Sequence, residues 1–303
     1  SGFPKIVSPD VNTSCAKHSI SCNLSRISKF NIISIIFHRR AINWAKPNGI
    51  HTKFFDIVES LDNTSYIPNS VGKLVKMNKV PVVAVVHHGN HLSAPVWDVH
   101  TKRKVPHHTV MTQILTAEQV QRMSVAEINK AVVNALQYDD YRYQKENSIR
   151  ITEPYRAKNL HKVLYQCPHC GAEAMDSAGA KIFCTECGKR WVWQEDGYLK
   201  ATEGETEFDH IPDWFNWERQ QVKKQIENGT YYWEDEVEVF GLPRCWRYIP
   251  LGKAKLTHDI EKGFILEGHY RGADYYIQRT PDQSNSLHVE YGFPALDKMD
   301  YVD

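Results

Sequence analysis

Between residues 67 and 86 the chain reads IPNSVGKLVKMNKVPVVAVV. Pro68 and Ser70 suit the opening turn of a helix, where a proline sacrifices no hydrogen bond. Val71, Leu74 and Val75 then fall on one side of that helix. Residues 79–86 are almost continuously apolar, the composition of a strand buried on both faces. A helix feeding such a strand marks an α/β layer.

The pattern continues downstream. A histidine-rich loop over residues 87–108 leads into a strand predicted at 109–115. Two helix starts follow with reciprocal caps, Thr116 with Gln119 and Ser124 with Glu127. Val125, Ile128, Val132 and Ala135 or Leu136 share one face, so the second helix should run to about Tyr143 and pack on the sheet. Asp213 can cap a helix over 214–227 that Asn228-Gly229 closes. Short runs at 230–240, 244–249, 253–257, 264–270, 274–279 and 287–291, divided by Gly or Pro turns, predict an antiparallel β-rich module. No internal repeat is visible.

Upstream the character changes. From Ser1 to Val58 the only acids are Asp10 and Asp56, serines are scattered throughout, and clear amphipathic periodicity is lacking. Residues 30–37 are the one strand-like run. Residues 1–58 are therefore expected to be an atypical segment, disordered or read in a shifted frame.

The whole chain has 303 residues, 24% charged and 42% hydrophobic, with a formal net charge of +1. These are the proportions of a globular protein, and the near-neutral charge argues against a nucleic-acid partner. The best apolar runs, 32–37 and 80–86, are far short of the roughly 18 to 20 residues that span a bilayer. The first twenty residues lack the basic-then-apolar order of a secretory signal. Seven cysteines, four of them in two tight pairs, suit a reducing compartment. A cytoplasmic location is expected.

Those pairs carry the strongest chemical signal. Cys167-Pro168-His169-Cys170 and Cys184-Thr185-Glu186-Cys187 are two Cys-x-x-Cys knuckles thirteen residues apart, each followed by glycine. Each turn brings two thiolates to one ion, and four thiolates complete the tetrahedral shell that Zn²⁺ accepts. With no open position, the zinc should be structural. Lys189, Arg190, Trp191 and Trp193 mix charge with stacking surface and raise a nucleic-acid role for the ribbon; aromatic packing against neighbouring segments is the competing account.

His87, His88, His91, His100, His107 and His108 crowd one loop, but no cysteine or carboxylate stands at a ligand spacing, so a solvated loop is expected. His91 with Asp98 downstream has the make-up of a general base and its orienting carboxylate. Val80-Pro81-Val82-Val83, His88-Gly89-Asn90, residues 141–147 (YRYQKEN) and the ribbon together resemble the phospholipid/glycerol acyltransferase superfamily, in its bacterial lysophosphatidic acid acyltransferase form, over roughly residues 60 to 300.

That resemblance implies transfer of a fatty acyl group from an acyl-CoA or acyl carrier protein thioester to a 1-acylglycerol-3-phosphate-like acceptor, at the inner membrane surface. It implies a substrate pocket at Val80, Pro81 and Val82. The fold it implies is a partial α/β acyltransferase domain over 59–160, a zinc ribbon over 161–195 and a helix with a β-rich accessory module over 196–303, α+β overall. The family's His-x-x-x-x-Asp and Glu-Gly-x-Arg-like motifs are missing, since His91 and Asp98 have the wrong spacing and follow the Val-Pro-Val strand. The catalytic residues are thus unassigned and the chain is expected to be inactive alone. The alternative is a non-enzymatic zinc-ribbon protein that binds nucleic acid or a protein partner.

Overall fold

The structure, a computed structural model, describes residues 70–241 and 248–283, with the backbone of short strands at Lys5–Ser8, Ile32–Ile36, Thr52–Phe55, Glu59–Ser60, Asn63–Thr64, Val289–Phe293 and Met299–Val302. Two compact units emerge, residues 27–95 with 101–216, and residues 1–26 with 96–100 and 217–303. The architecture is mixed α and β. No helix among the described residues is long and apolar enough to cross a membrane. The expectation for residues 1–58 lies outside the described residues, apart from the strand backbones at Lys5–Ser8, Ile32–Ile36 and Thr52–Phe55.

In the first unit the apolar run becomes the strand Val82–His88. It lies inside a four-stranded sheet, parallel to Ile32–Ile36, which is itself parallel to Thr52–Phe55, and antiparallel to His108–Leu115 at the rim. Val82 and Ala84 are buried on one face and Val85 on the other, with Val86 and Val83 half-buried beside them, so burial reaches both faces of the strand as the apolar run suggested. The rim strand is open to solvent along most of its length, with Val110 and Met111 exposed.

Against the face that carries Val82 and Ala84 pack the helices Ser70–Asn78, Ala117–Arg122 and Val125–Leu136. Val71, Val75, Val120, Ile128, Val132 and Leu136 join Val82, Ala84 and Leu115 in one core. Both capping boxes form as read, Thr116 with Gln119 and Ser124 with Glu127. The first and third helices approach closely at Gly72, whose N–H donates to the buried Asn129 Oδ1 at 2.6 Å. Lys76 reaches across to the C-terminus of the second helix, where its ammonium donates to the carbonyls of Val120, Gln121 and Met123. These are carbonyls that the helix itself leaves without partners.

The helix expected to run to Tyr143 stops instead at Leu136. Gln137 is extended, and Asp139 starts a new helix, Asp140–Glu146, by accepting the N–H groups of Tyr141 and Arg142 at 3.0 Å each. A strong cap inside an apolar period restarts the helix rather than letting it continue. The ribbon sheet follows, antiparallel, with strands Met175–Ala178, Lys181–Cys184, Arg190–Trp193 and Leu199–Ala201. It is bound to the helix Asp140–Glu146. Gln144 Nε2 donates to the Glu195 carbonyl at 2.8 Å, and a Cβ on Gly197 would stand 2.4 Å from Gln144 Oε1.

The helix after the ribbon spans Ile211–Glu227, beginning earlier than its expected start at Trp214. Pro212 in its first turn explains the shift, because proline is pre-organised there, and Asp213 lies inside the helix rather than at its cap. Its end is as read, with Gly229 at φ 69° after Asn228 N–H donates to the Lys224 carbonyl.

The second unit holds a seven-stranded sheet ordered Ala273–Arg279, Gly263–Tyr270, Ile249–Asp259, Tyr232–Gly241, Lys5–Ser8, Met299–Val302 and Val289–Phe293. The first four strands are antiparallel neighbours, while Lys5–Ser8 pairs in parallel with the strands on either side of it. Two expected runs, 244–249 and 253–257, resolve differently. Ile249–Asp259 is a single strand, and the register jump that pairs Val239 with Gly252 but Phe240 with Pro250 makes Leu251 the extra residue of a bulge. Gly252, at φ 98°, takes up the turn that the sequence suggested. Residues 242–247 lie outside the described residues.

Candidate metal centre

Both knuckles close in the same way. Gly171 N–H donates to the Cys167 carbonyl at 2.8 Å and Gly188 N–H to the Cys184 carbonyl at 3.1 Å, with φ of 78° and 77° at the two glycines. Cys167 N–H donates to the Ala172 carbonyl and Cys184 N–H to the Lys189 carbonyl, so each loop is closed from both ends. The first cysteine of each pair is buried and the second exposed.

The four sulfurs converge. Cys167 Sγ lies 3.8 Å from Cys187 Sγ, Cys170 Sγ lies 3.7 Å from Cys184 Sγ, and all four fall within 4.8 Å of one another. A regular tetrahedron around an ion with metal–sulfur bonds of about 2.3 Å has an edge of about 3.8 Å, whereas a disulfide needs about 2.05 Å. The spacing therefore suits a four-thiolate metal shell. Burial pushes the Cys167 thiol up, while the backbone N–H of Ala172 holds Cys170 down. A buried thiol becomes a thiolate only when a cation offsets the lost hydration, which an ion in the centre of the four sulfurs does.

The surroundings fix the ribbon from below. Trp191 and Trp193 are 0% and 1% exposed, so neither ring presents a face on which a base can stack. Trp191 meets Trp214 edge-on with centroids 4.9 Å apart. Trp214 Nε1 donates to the carbonyl of Gln166, the residue before the first ligand, at 2.9 Å. Lys189 pairs with Glu207, whose other oxygen accepts from Trp191 Nε1 at 3.2 Å, and Glu207 also meets His169 at 3.2 Å. Burial raises the Glu207 carboxyl, but the Lys189 ammonium, a backbone N–H and Trp191 together outweigh it and hold the group below the usual carboxylate range. Gln166, Glu207 and Trp214 carry no motif in the sequence; their contacts span 16 to 48 residues.

The histidines disperse. His100, His107 and His108 are exposed, His87 accepts or donates to Thr109 Oγ1 at 2.8 Å, and His88 stacks on Tyr143 at 4.5 Å. His91 departs from the solvated-loop reading. It is buried with Nε2 3.2 Å from the Tyr141 hydroxyl, and burial holds it neutral by lowering its pKa. Asp98 is buried in the short turn Val96–Asp98, which groups with the other unit. Among the described residues the four cysteines are the one group of three or more His, Cys, Asp or Glu side chains close enough to hold a metal.

Val82 belongs to the core under the sheet, with Val80 half-buried and packed against that core, and Pro81 half-buried between them. Beside the strand's end, Asp140 Oδ1 accepts the Gly89 N–H at 2.9 Å. Gly89 is at φ 82°, and a Cβ there would stand 2.6 Å from the Pro106 carbonyl oxygen, so the turn has room for glycine alone. Comparison of the chain with protein-family models, with curated proteins and with solved structures returns no match.

Proposed function

We propose that the chain is the scaffold-and-ribbon part of an acyltransferase of the lysophosphatidic acid type, and that its metal is a structural Zn²⁺ held by Cys167, Cys170, Cys184 and Cys187. The reaction would pass a fatty acyl group from a thioester sulfur to a glycerolipid hydroxyl at a membrane surface. The observation that carries this reading is the joint between ribbon and α/β layer. Gln144 and Gly197 interlock, and Tyr141 packs within 6.2 Å of Trp193, so the ribbon braces the helix that follows the sheet. A closed four-thiolate site offers no position for substrate, which assigns the metal to folding rather than to chemistry.

The resemblance supports the acyl-transfer reading, and its missing motifs limit it. General-base assistance contributes typically 10²- to 10⁴-fold, and His91, neutral but buried against Tyr141, is not presented to a substrate hydroxyl. The chain by itself should therefore bind thioester without turning it over.

Calorimetric titration with a long-chain acyl-CoA, paired with a salt-dependent oligonucleotide binding assay, tests the reading. Saturable thioester binding supports it. Oligonucleotide binding that weakens steeply with salt, without thioester binding, overturns it in favour of a nucleic-acid ribbon. Turnover of lysophosphatidic acid that His91→Ala abolishes would overturn the scaffold role.

A further inference from the structure

His210 stands where three elements of the first unit meet. It follows Asp209, whose carbonyl accepts the Leu199 N–H of the ribbon's last strand at 2.6 Å, and it precedes the helix Ile211–Glu227. His210 is 4% exposed. Its Nε2 lies 3.1 Å from Asp139 Oδ2 and its Nδ1 lies 3.1 Å from Asp213 Oδ2. A neutral imidazole carries one N–H and one lone pair. With a carboxylate oxygen 3.1 Å from each nitrogen, the neutral ring would turn its lone pair on an anion, whereas the imidazolium offsets both charges; the Nε2 contact with Asp139 is an ion pair rather than an aligned hydrogen bond.

We propose that His210 is a protonated latch, tying Asp139, the cap of the helix Asp140–Glu146, to Asp213 in the first turn of the helix Ile211–Glu227, and that loss of its proton opens the Asp213 arm. The two arms differ in their alternatives. Asp213 is 58% exposed and can turn to water, while Asp139 is 11% exposed and already accepts the N–H groups of Tyr141 and Arg142. On deprotonation the one remaining N–H stays with the buried carboxylate.

The charges around the ring favour the cation. Asp139 faces it from the helix cap together with Arg142, whose Nε is 3.1 Å from Asp139 Oδ2. Asp213 faces it from its own helix. Tyr198 of the ribbon stacks on it at 5.6 Å, with Asp209 and Asp196 acting on Tyr198 and the Lys145 ammonium 3.5 Å above that ring. Tyr141 meets it edge-on at 6.0 Å, backed by the neutral His91. Burial alone would lower the His210 pKa; the pairing with Asp139 and then with Asp213 outweighs burial and raises it. Asp139 shifts the opposite way, since its pairing with His210 overcomes its own burial. A raised folded pKa means that the latch contributes fully below the ordinary histidine value near 6.5 and is lost as pH rises through the folded value.

Imidazole ¹⁵N NMR on the full metal-loaded chain tests this, with hydrogen exchange of the amides at residues 211–216. At pH 6.5 both ring nitrogens of His210 should carry protons, with a titration midpoint above about 6.5. For each unit by which the midpoint exceeds that value, opening at the helix start should rise about tenfold across the titration, beyond the base catalysis of exchange itself. Asp213→Asn should lower the midpoint while leaving the fold intact, because its side chain is largely in water. His210→Gln should remove the pH dependence at the helix start. A singly protonated ring at pH 6.5 with a midpoint at or below about 6.5 would overturn the latch, as would an unchanged midpoint in Asp213→Asn or a wild-type exchange profile in His210→Gln.

Discussion

Gly72→Ala sets two effects of opposite sign against each other. In an isolated helix interior the exchange favours alanine by about 1 kcal/mol. In this protein Gly72 faces the helix Val125–Leu136, and a Cβ would stand 2.4 Å from Asn129 Oδ1 and 2.7 Å from the Val125 carbonyl oxygen. The asparagine side chain can swing away, but its departure strands the buried Gly72 N–H that it accepts at 2.6 Å. An unsatisfied buried donor costs about 1–3 kcal/mol. The Val125 contact is to backbone, so the helices must also shift, at about 1–3 kcal/mol for overpacking. Subtracting the gain in propensity leaves a net loss of about 1–5 kcal/mol. Urea unfolding followed by far-ultraviolet circular dichroism reads it as a lowered midpoint at unchanged slope. Asn129→Ala in the same chain should recover none of the loss, since the Gly72 N–H stays without its acceptor and the Val125 carbonyl remains in the way. A Gly72→Ala protein as stable as the parent would refute the close approach of the two helices.

Metal analysis should find one Zn²⁺ per chain, lost in Cys184→Ser and retained when Cys15, Cys22 and Cys245 are all replaced by serine; chelation should unfold the ribbon, removing on the order of 10 kcal/mol of binding energy. Trp214→Phe keeps the ring against Trp191 but leaves the Gln166 carbonyl without its 2.9 Å donor, so thermal unfolding should show a loss of about 1–2 kcal/mol with zinc content unchanged. The lowered Glu207 pKa implies stability that is present above the ordinary glutamate value near 4.3 and lost as pH falls through the folded value. Glu207→Gln should flatten that acid limb in pH-resolved unfolding curves, and an unchanged limb would exclude the Lys189 pair as its source.

What the sequence revealed follows from the range of the interactions. The capping boxes at Thr116 and Ser124 close over three residues, and the knuckles over four, so each is written out in full where it occurs. The strand Val82–His88 was legible because an apolar run has few other uses. The end of the helix at Leu136 was not, since the periodicity passes through it and only the Asp139 cap, an ordinary residue in composition, restarts the chain. Pro212 did mark the true start of the next helix, but Asp213 offered a competing cap one residue later. Glu207 and Trp214 reach the cysteine-bearing sheet through partners 16 and 48 residues away in sequence, separations at which no local pattern survives. The bulge at Leu251 hid a continuous strand behind a Pro and a Gly that elsewhere would end one.

The rim strand His108–Leu115 bears on how the protein behaves at high concentration. It is the outermost strand of its sheet, its residues from Thr109 to Leu115 include no charge and no proline, and Met111 is 54% exposed. Natural sheets guard such rims with lysines, prolines or bulges, because a bare row of backbone donors and acceptors templates the addition of further strands. The one irregularity here lies at the far end, beside Val82. Concentrated solutions should therefore drift toward strand-mediated assembly, and a single lysine at Thr112 would supply the missing guard without touching the ribbon or the helical core.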